Sequence, residues 1–259
     1  MLFKLIDTFR TWGRAQRAMA ITFPSVRELA ARRRADGGAT GTIVAFYTKN
    51  SFYETEKDRL VKSARHLGLD VQATAVESAG SWVRNAGLKP GVLLELRRTL
   101  RGPLLYVDVD AVFHHDPWPE LLKMDADIAA YYEGDTRLIS ATILLNDTPA
   151  TLDLLAKWKQ GCMDAPEVWD QVVLERIIAE DAADPSPAFR VGRLPVSFCW
   201  IFDRTRNAPV ERVYIEQLQA SREATKSKHL FNRIGKRLSR RRDRVAEIER
   251  ILNMQADEA

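Results

Sequence analysis

Short apolar runs alternate with amphipathic stretches along the chain from residue 42 onward. Runs of roughly four to eight apolar residues have the length of buried strands, whereas apolar residues at three- and four-residue intervals indicate helices. Strands that alternate with helices predict an α/β domain with a mostly parallel central sheet flanked by helices. In the first half, strands are predicted at 42–48, 70–76 and 104–107, and helices at 51–68, closed by Gly68, and at 89–102.

The second half of the domain continues this alternation. Strands are predicted at 126–132 and 141–147, and helices at 149–162 and 165–181. At the start of the last helix, Asp164 and Glu167 have the spacing of a capping box. This spacing predicts that the helix begins before Asp170.

A basic run followed by a glycine cluster, "RRRADGGATG" at 32–41, marks the clearest domain boundary. A chain of 259 residues is long enough for one large core with appendages. We therefore predict a basic amphipathic segment at 1–40, an α/β domain at 41–222 and a basic C-terminal helix at 223–259.

Basic residues are concentrated at the two ends of the chain. Residues 1–40 carry eight Lys or Arg against three acidic residues, and residues 221–259 carry eleven against six, yet the net charge of the whole chain is only +4. The part between is therefore acidic, which argues against a nucleic-acid-binding domain. Two cysteines, Cys162 and Cys199, are too few for a disulfide framework and indicate a reducing, cytoplasmic environment. No run reaches the length of a membrane span.

The stretch "LLYVDVDAVF" at 104–113 places two carboxylates at the end of a predicted strand. Buried parallel strands deliver their last residues into the crevice at the carboxyl edge of a sheet. Side chains two positions apart on extended backbone point to the same side, so Asp108 and Asp110 can reach one divalent cation. The alternative is that both aspartates only bond loop amides.

The residues that follow this stretch receive structural interpretations. Asp116 precedes a proline, which is typical of a helix N-cap. His114 and His115 point to opposite faces of an extended chain, so at most one of them can easily join a metal site. We expect both histidines to be solvated loop residues.

Helical geometry places Asp170 on an apolar face. At about 100° per residue, Asp170 falls on the same arc as Val173, Leu174, Ile177 and Ile178. A buried carboxylate without a partner costs several kcal/mol, so Asp170 is expected to meet a cation, a donor network or a substrate hydroxyl. A purely structural bond to a nearby Arg or amide is the alternative.

Five sequence blocks follow a strand–helix–strand opening that carries an aromatic residue at the end of its first strand. They are "SWVRNAGLKPGVLLELRRTLRGPLLYVDVDAVF", "LISATILLNDTPATLDLLAKW", "WDQVVLERI", "LPVSFCWIFD" and "VYIEQLQASR". Their order resembles the nucleotide-diphospho-sugar transferases of the GT-A fold over roughly residues 42–222. The resemblance implies a Rossmann-like GT-A fold and transfer of a sugar from a nucleotide-diphosphate donor, with UDP-sugars favoured, to a hydroxyl of a glycan or glycolipid.

The resemblance also implies a metal site. Asp108 and Asp110 would bind Mn²⁺ or Mg²⁺, with the donor diphosphate and water as the remaining ligands. Family members often supply a histidine from the last block as a third ligand. This sequence has Gln217 there, a neutral and weaker ligand, and His229 is an alternative if the tail folds back.

Further roles follow from the resemblance alone. Asp170 and Gln171 are implied as catalytic residues at the sugar and acceptor, where a carboxylate can orient or deprotonate the attacking hydroxyl. Ala141 stands where a glycine is common. The implied donor contacts are Tyr47, Thr48, Trp82, Asn85, Lys89, Asp108, Ser140 and Thr142.

Two other functions compete with this interpretation. "YVDVDAVF" also fits the Asp-x-Asp-x-Val signature of haloacid-dehalogenase-like phosphatases, with Asp108 as nucleophile and Asp110 as acid/base. That signature normally follows the first strand of its domain, whereas a strand–helix–strand–helix unit precedes it here. A non-catalytic protein that binds nucleotide sugars is the third possibility.

Both ends of the chain carry basic amphipathic patterns. Such segments suit the surface of an anionic membrane, so peripheral association with the inner face of a membrane is predicted. In the C-terminal segment, apolar residues at alternating three- and four-residue intervals form a seam that only Arg241 interrupts. This seam predicts either a homodimer contact or a helix packed on its own domain. The N-terminal stripe contains Leu2, Ile6, Phe9 and Gly13, and the C-terminal seam contains Phe231, Ile234, Leu238, Val245, Ile248 and Leu252.

Overall fold

The computed structural model describes residues 41–134, 136–205, 208–224 and 233–254. The predictions for segment 1–40, for His229 and for the side chains of Phe231 and Ile234 lie outside the described residues. Among the described residues, no helix is long and apolar enough to cross a membrane.

A six-stranded sheet forms the centre of the protein, in the order β2-β1-β3-β6-β5-β7. Strands β1, β2 and β3 are mutually parallel, and β7 is parallel to β5. Strand β6 is antiparallel to both of its neighbours, β3 and β5. Only three residues separate β5 from β6, so these two strands form a hairpin. The predicted α/β architecture is confirmed, with β6 as the one reversed strand of this sheet. The strands are Thr42–Thr48 (β1), Val71–Val76 (β2), Leu104–Val107 (β3), Ile128–Glu133 (β5), Arg137–Leu145 (β6) and Val191–Arg193 (β7).

A smaller sheet lies beside the carboxyl edge of the large one. Its order is β4-β9-β8, with β4 antiparallel and β8 parallel to β9. Strand β4 follows β3 after only three residues, so the chain passes from one sheet to the other directly at the two aspartates. The strands are Ala111–Phe113 (β4), Trp200–Ile201 (β8) and Ile215–Gln217 (β9).

Helices cover both faces of the large sheet because the side chains of its strands alternate. On β1, Ile43 packs with Leu60 of the first helix, whereas its neighbour Val44 packs with Leu93 and Trp158 on the opposite face. The helices are Tyr53–His66 (α1), Trp82–Gly87 (α2), Lys89–Thr99 (α3), Trp118–Leu121 (α4), Pro149–Asp164 (α5), Asp170–Ala182 (α6), Ser221–Ala224 (α7) and Arg233–Met254 (α8), with a 3₁₀ turn at Val196–Phe198.

The predicted start of α6 is wrong. Asp164 ends α5 instead of capping the next helix, and its carboxylate accepts a hydrogen bond from Gln160 at 2.8 Å. Trp169 has extended backbone and occupies the N-cap position, so α6 begins at Asp170. Glu167 bonds Arg84 of α2 instead of closing a capping box.

The C-terminal helix α8 packs on its own domain. Ile248 and Leu252 are buried with Val112 of β4 and with Leu218. Arg241, the polar interruption of the seam, is also buried and pairs with Glu56 of α1 at 2.6 Å. Of the two alternatives for this seam, packing on the domain surface is the one that these residues adopt, so Ile248 and Leu252 are not free to form a dimer contact.

Candidate active site

A pocket of about 300 Å³ opens at the carboxyl edge of the central sheet. Its walls are formed by the ends of β1 and β3, by the first residues of α1, α2, α3 and α6, and by the loop after β9. Crevices at this edge are the usual ligand sites of α/β sheets. Ten of the residues singled out from the sequence line the pocket: Tyr47, Thr48, Trp82, Asn85, Lys89, Asp108, Asp110, Ser140, Asp170 and Gln171.

The two aspartates stand on a tight turn. Ala111 donates its backbone N–H to the carbonyl of Asp108 at 2.9 Å, which closes the turn between β3 and β4. The expectation of extended backbone was therefore wrong, because the chain must bend here to leave one sheet and enter the other. Both side chains nevertheless line the same pocket.

Asp108 has one engaged and one unengaged carboxylate oxygen. Its Oδ1 accepts a hydrogen bond from the Tyr106 hydroxyl at 2.6 Å and lies 3.3 Å from Lys89 Nζ. Burial, and then the charge of Asp108, raise the pKa of Tyr106 well above its ordinary value, so this phenol stays a hydrogen-bond donor. The other oxygen, Oδ2, has no hydrogen-bond partner among the described residues.

Asp110 anchors the loop that follows β9. Its Oδ2 accepts from the backbone N–H of Ala220, and its carbonyl accepts from Leu218 at 3.2 Å. Between these two donors, Gln219 has a φ of +57°, a left-handed conformation that is unusual for a residue other than glycine. The loop-amide alternative is thus realised for one oxygen of Asp110, while Oδ1 has no hydrogen bond within the described part of the chain.

The charge on Asp110 is unfavourable in the absence of a cation. Burial, and then the neighbouring Asp108, raise its pKa to about 7. Two unengaged oxygens, one on each aspartate, suit a hard divalent ion, which would relieve this repulsion. The described residues contain no group of three or more His, Cys, Asp and Glu that could hold a metal. The residues present therefore fit an ion that takes its other ligands from a bound diphosphate and water.

Thr142 and Gln217 lie beneath the pocket and are not part of its lining. Both are buried, and Gln217 Nε2 donates to Thr142 Oγ1 at 2.9 Å and to the carbonyl of Ala141 at 3.1 Å. Gln217 Oε1 is buried without a partner among the described residues. The side chain thus ties β9 to β6 under the aspartates, and a role for Oε1 as a ligand stays a prediction.

Lys89 is the buried cation at the centre of the site. Its Nζ lies 3.0 Å from Asp170 Oδ2 and within 3.1 Å of both the hydroxyl and the carbonyl of Ser140. Burial alone would lower the pKa of Lys89, but the carboxylates of Asp108 and Asp170 outweigh it and raise the pKa. Lys89 therefore stays charged and links the two aspartates across the pocket.

Asp170 opens α6 with its carboxylate turned inward, as the helical arc predicted. Only 5% of the residue is exposed, and its Oδ2 accepts from Ser140 Oγ at 3.0 Å. Its carbonyl accepts from the indole N–H of Trp158 at 2.7 Å, which fixes the first turn of the helix. Asp170 thus meets both a cation and a donor network, and its Oδ1 has no protein partner within the ranges described.

An irregularity in β6 brings Ser140 to Lys89 and Asp170. The register between β5 and β6 jumps from Ala130 opposite Ile143 to Tyr131 opposite Ile139, so 140–142 bulge out of that ladder. Such bulges re-aim side chains and backbone groups near active sites. The carbonyl of Ala141, freed from β5, accepts from the backbone N–H of Asp108 at 2.8 Å.

The histidines near the aspartates are structural. His114 is fully buried and its Nε2 lies 2.8 Å from Glu216 Oε2, while His115 Nδ1 lies 2.7 Å from the carbonyl of Val213. The expectation that both are solvated was wrong for His114, which the chain around β9 buries, whereas His115 is half-buried. Asp116 accepts from the backbone N–H of Trp118 at 3.0 Å, so its role is structural, but the N-cap of α4 is Pro117 and not Asp116 as predicted.

Several pocket residues escaped the sequence analysis. Tyr106 appeared there only as a core residue of a buried strand, and nothing in its apolar neighbourhood indicates that its hydroxyl reaches Asp108. Most of the others lie within the quoted blocks or next to them, where the resemblance assigned no role, whereas Tyr53 lies at the start of α1, well before the first block. They include Tyr53, Arg137, Ile139, Trp169, Arg204, Gln219 and Ser221.

Comparison with known proteins assigns the chain to a family. Residues 81–230, more than half of the chain, match the sequence profile of the nucleotide-diphospho-sugar transferases. No curated protein sequence matches the chain.

Solved structures of glycosyltransferases share the fold. A glycosyltransferase involved in the glycosylation of the major capsid of PBCV-1 has a TM-score of 0.53 at 10% identity, over 78% of this chain and 98% of that one. The apo form of the glycosyltransferase GlyE from Streptococcus pneumoniae TIGR4 has a TM-score of 0.50 at 13% identity, over 85% of this chain. The match spans only 64% of the length of GlyE.

These matches decide between the enzyme classes that the sequence left open. The fold predicted from the sequence is confirmed, and the Asp-x-Asp stretch lies in a transferase domain instead of a phosphatase domain. The chain belongs to the nucleotide-diphospho-sugar transferase family.

Proposed function

We propose that the protein is a metal-dependent glycosyltransferase that moves a sugar from a nucleotide-diphosphate donor to a hydroxyl of a glycan or glycolipid. The observation that carries this proposal is the juxtaposition of Asp108 and Asp110 with Asp170 through Lys89, in one pocket. A diphosphate site and a carboxylate for an acceptor hydroxyl are thereby held a fixed distance apart.

The donor lies along the carboxyl edge of the sheet in this proposal. Tyr47 and Thr48, at the end of β1, contact the base and ribose, with UDP-sugars favoured. Asn85 borders the diphosphate, and Ser140 the sugar. Lys89 is already surrounded by protein oxygens, so its main contribution is to hold the carboxylates of Asp108 and Asp170 in place. A direct contact between Lys89 and a phosphate would require one of these bonds to be exchanged.

Asp108 and Asp110 would hold Mn²⁺ or Mg²⁺ through the two oxygens that no described residue engages. The ion would neutralise the negative charge that grows on the diphosphate as the sugar leaves. Tyr106 and Ala220 fix the orientation of the two carboxylates, so the site is preorganised for this charge.

Asp170 receives the acceptor hydroxyl. Its Oδ2 is occupied by Lys89 and Ser140, which leaves Oδ1 to accept a hydrogen bond and orient the attacking oxygen. Gln171, the next residue of α6, lines the pocket beside it and supplies an amide for the sugar or the acceptor.

We also propose peripheral contact with anionic membranes, through basic residues on the outer face of α8. Lys236, Arg237 and Arg240 are exposed on the first turns of this helix. A glycolipid acceptor would place such an enzyme at the inner face of a membrane.

Incubation of the protein with UDP-, GDP- and CMP-sugars and Mn²⁺ tests the main proposal. We expect release of UDP from a UDP-sugar, by slow hydrolysis or by transfer, and loss of this activity in EDTA. Asp110→Asn is the test variant, and Asp153→Asn, which alters an exposed aspartate on α5, is the matched control. Turnover that survives EDTA, or the absence of turnover with every donor, would contradict the proposal.

A further inference from the structure

Two exposed tryptophans meet at the rim of the pocket. Trp82 of α2 and Trp169, the residue before Asp170, are 42% and 43% exposed, and both line the pocket. Their ring centroids are 5.3 Å apart and the ring planes are inclined by 78°. In this edge-to-face arrangement the edge of one ring covers part of the other, which leaves broad aromatic surface open to a ligand.

Exposed apolar side chains gather at this rim. Val168 flanks Trp169, and Val172 lies about one turn further along α6; both are among the few large apolar residues that are exposed in the described part of the chain. Apolar surface that is contiguous with a pocket marks a binding surface more often than isolated exposed residues do. The position of Trp169, next to Asp170, places this surface on the acceptor side of the site.

Charged groups border the same aromatic surface. Arg84, two residues after Trp82, pairs with Glu167, two residues before Trp169, at 2.7 Å. The two segments are therefore joined twice, once by the aromatic contact and once by an exposed ion pair. A ligand at this place meets aromatic faces together with donors and acceptors for hydroxyl groups, which is a chemistry that a lipid chain would not use.

We infer that Trp82 and Trp169 form a stacking subsite for a pyranose ring of the acceptor, so that the acceptor is a saccharide. The apolar C–H face of a pyranose carries slight positive charge and is attracted to the negative face of an indole ring. The equatorial hydroxyls project from the edge of the sugar ring, where Arg84, Glu167 and Gln171 can bond them. This inference rests on the proposed function and moves Trp82 from the donor to the acceptor.

A binding experiment tests the subsite without requiring turnover. Saturation-transfer NMR with methyl pyranosides and disaccharides, on protein whose donor site is filled with UDP and diamagnetic Mg²⁺, is expected to show saturation of the C–H face protons. Trp169→Ala should abolish this signal and Trp169→Phe should keep most of it, because a phenyl ring still stacks. Leu122→Ala, at an exposed apolar position just after α4 that does not line the pocket, is the matched control and should leave the signal unchanged.

Kinetics separate the acceptor role from the donor role. With a saccharide acceptor, Trp169→Ala is expected to raise the acceptor KM about tenfold or more, whereas the rate of donor hydrolysis by water should fall by a clearly smaller factor. If Trp169→Ala slowed hydrolysis as much as transfer, the tryptophan would belong to the donor site and the inference would be overturned. The inference would also be overturned if no saccharide gave a Trp169-dependent signal. The same holds if analytical sedimentation showed self-association of the protein that Trp169→Ala abolishes, because a second copy of the chain would then cover this rim.

The two proposals fail in different ways. Absence of both hydrolysis and transfer with every donor in the unaltered protein would contradict the proposed function, whereas the NMR signal from the saccharide would still report on the subsite. Normal hydrolysis without a Trp169-dependent saccharide signal would leave the proposed function intact and remove only the subsite.

Discussion

Arg244 of α8 and Glu216 of β9 form a buried ion pair, with Arg244 Nη2 2.7 Å from Glu216 Oε2 and Nε 2.9 Å from Oε1. His114 Nε2 lies 2.8 Å from Glu216 Oε2 as well. Strand β9 leads directly into the loop that bonds Asp110, so the helix that the sequence analysis treated as an appendage braces one wall of the pocket.

Loss of this pair is expected to destabilise the whole domain. Arg244→Ala leaves Glu216 buried without its cation, and breaking a buried pair in this way costs about 3–5 kcal/mol. Urea unfolding measures the change in the free energy of unfolding. Arg240→Ala, at an exposed position on the same helix, is the control and should stay within about 0.5 kcal/mol of the unaltered protein. Equal stability of the two variants would show that α8 is not part of the cooperative unit.

Glu216 also makes a defined contribution to acid unfolding. Burial alone would raise its pKa, but Arg244 and His114 outweigh burial and lower the pKa to about 2. A carboxylate whose pKa is depressed on folding adds stability above its unfolded pKa, about 4.3. This contribution is lost as the pH falls from about 4.3 to 2. Unfolding free energies measured across this range should fall less steeply for Glu216→Gln than for the unaltered protein, and parallel curves would contradict the assignment.

Asparagine at either aspartate of the turn is expected to abolish metal-dependent transfer without loss of the fold. Asp108→Asn and Asp110→Asn each remove a charged ligand from a pocket, not a contact from the core. The raised pKa of Asp110 indicates that its charge is unfavourable without a cation. In the absence of metal, the Asp110→Asn variant should therefore melt at the same temperature as the unaltered protein or at a higher one. Thermal melts with and without Mn²⁺ and UDP test both points. A stabilising shift with Mn²⁺ that survives in both variants would place the metal elsewhere.

Replacement of Asp170 is expected to lower turnover more than donor affinity. Asp170→Asn keeps the size of the side chain and a hydrogen bond with Ser140 but removes the negative charge that attracts the hydroxyl proton, so kcat should fall about 100-fold or more. Donor binding, followed by calorimetry with UDP, should change by less than about threefold. A fall in UDP affinity with unchanged kcat would return Asp170 to a structural role beside Lys89.

The sequence predicted the parts of this molecule that depend on local pattern. The buried strand before Asp108 and the inward face of Asp170 follow from apolar spacing, and both are present in the structure. The burial of His114 depends instead on β9, which lies about one hundred residues further along the chain. Likewise, the hydroxyl of Tyr106 becomes a functional group only because the chain turns at Asp108. Contacts of this kind between distant segments leave no periodic signal in the sequence.

The membrane proposal requires a test that keeps α8 in place. Removal of the helix would deprive Glu216 of Arg244 and uncover Val112, so a truncated chain would lose stability as well as charge. Neutralisation of Lys236, Arg237 and Arg240 to Gln changes only exposed side chains.

Each basic residue near an anionic surface contributes about 1 kcal/mol, so the triple variant should bind vesicles on the order of 100-fold more weakly at low salt. The measurement is sedimentation with vesicles of phosphatidylglycerol and phosphatidylcholine, with pure phosphatidylcholine vesicles as the lipid control. The protein control neutralises three exposed residues outside α8, Arg98, Lys123 and Lys157, for the same loss of net charge. If both triple variants bound equally, the attraction would come from net charge alone and α8 would not be the membrane-facing surface.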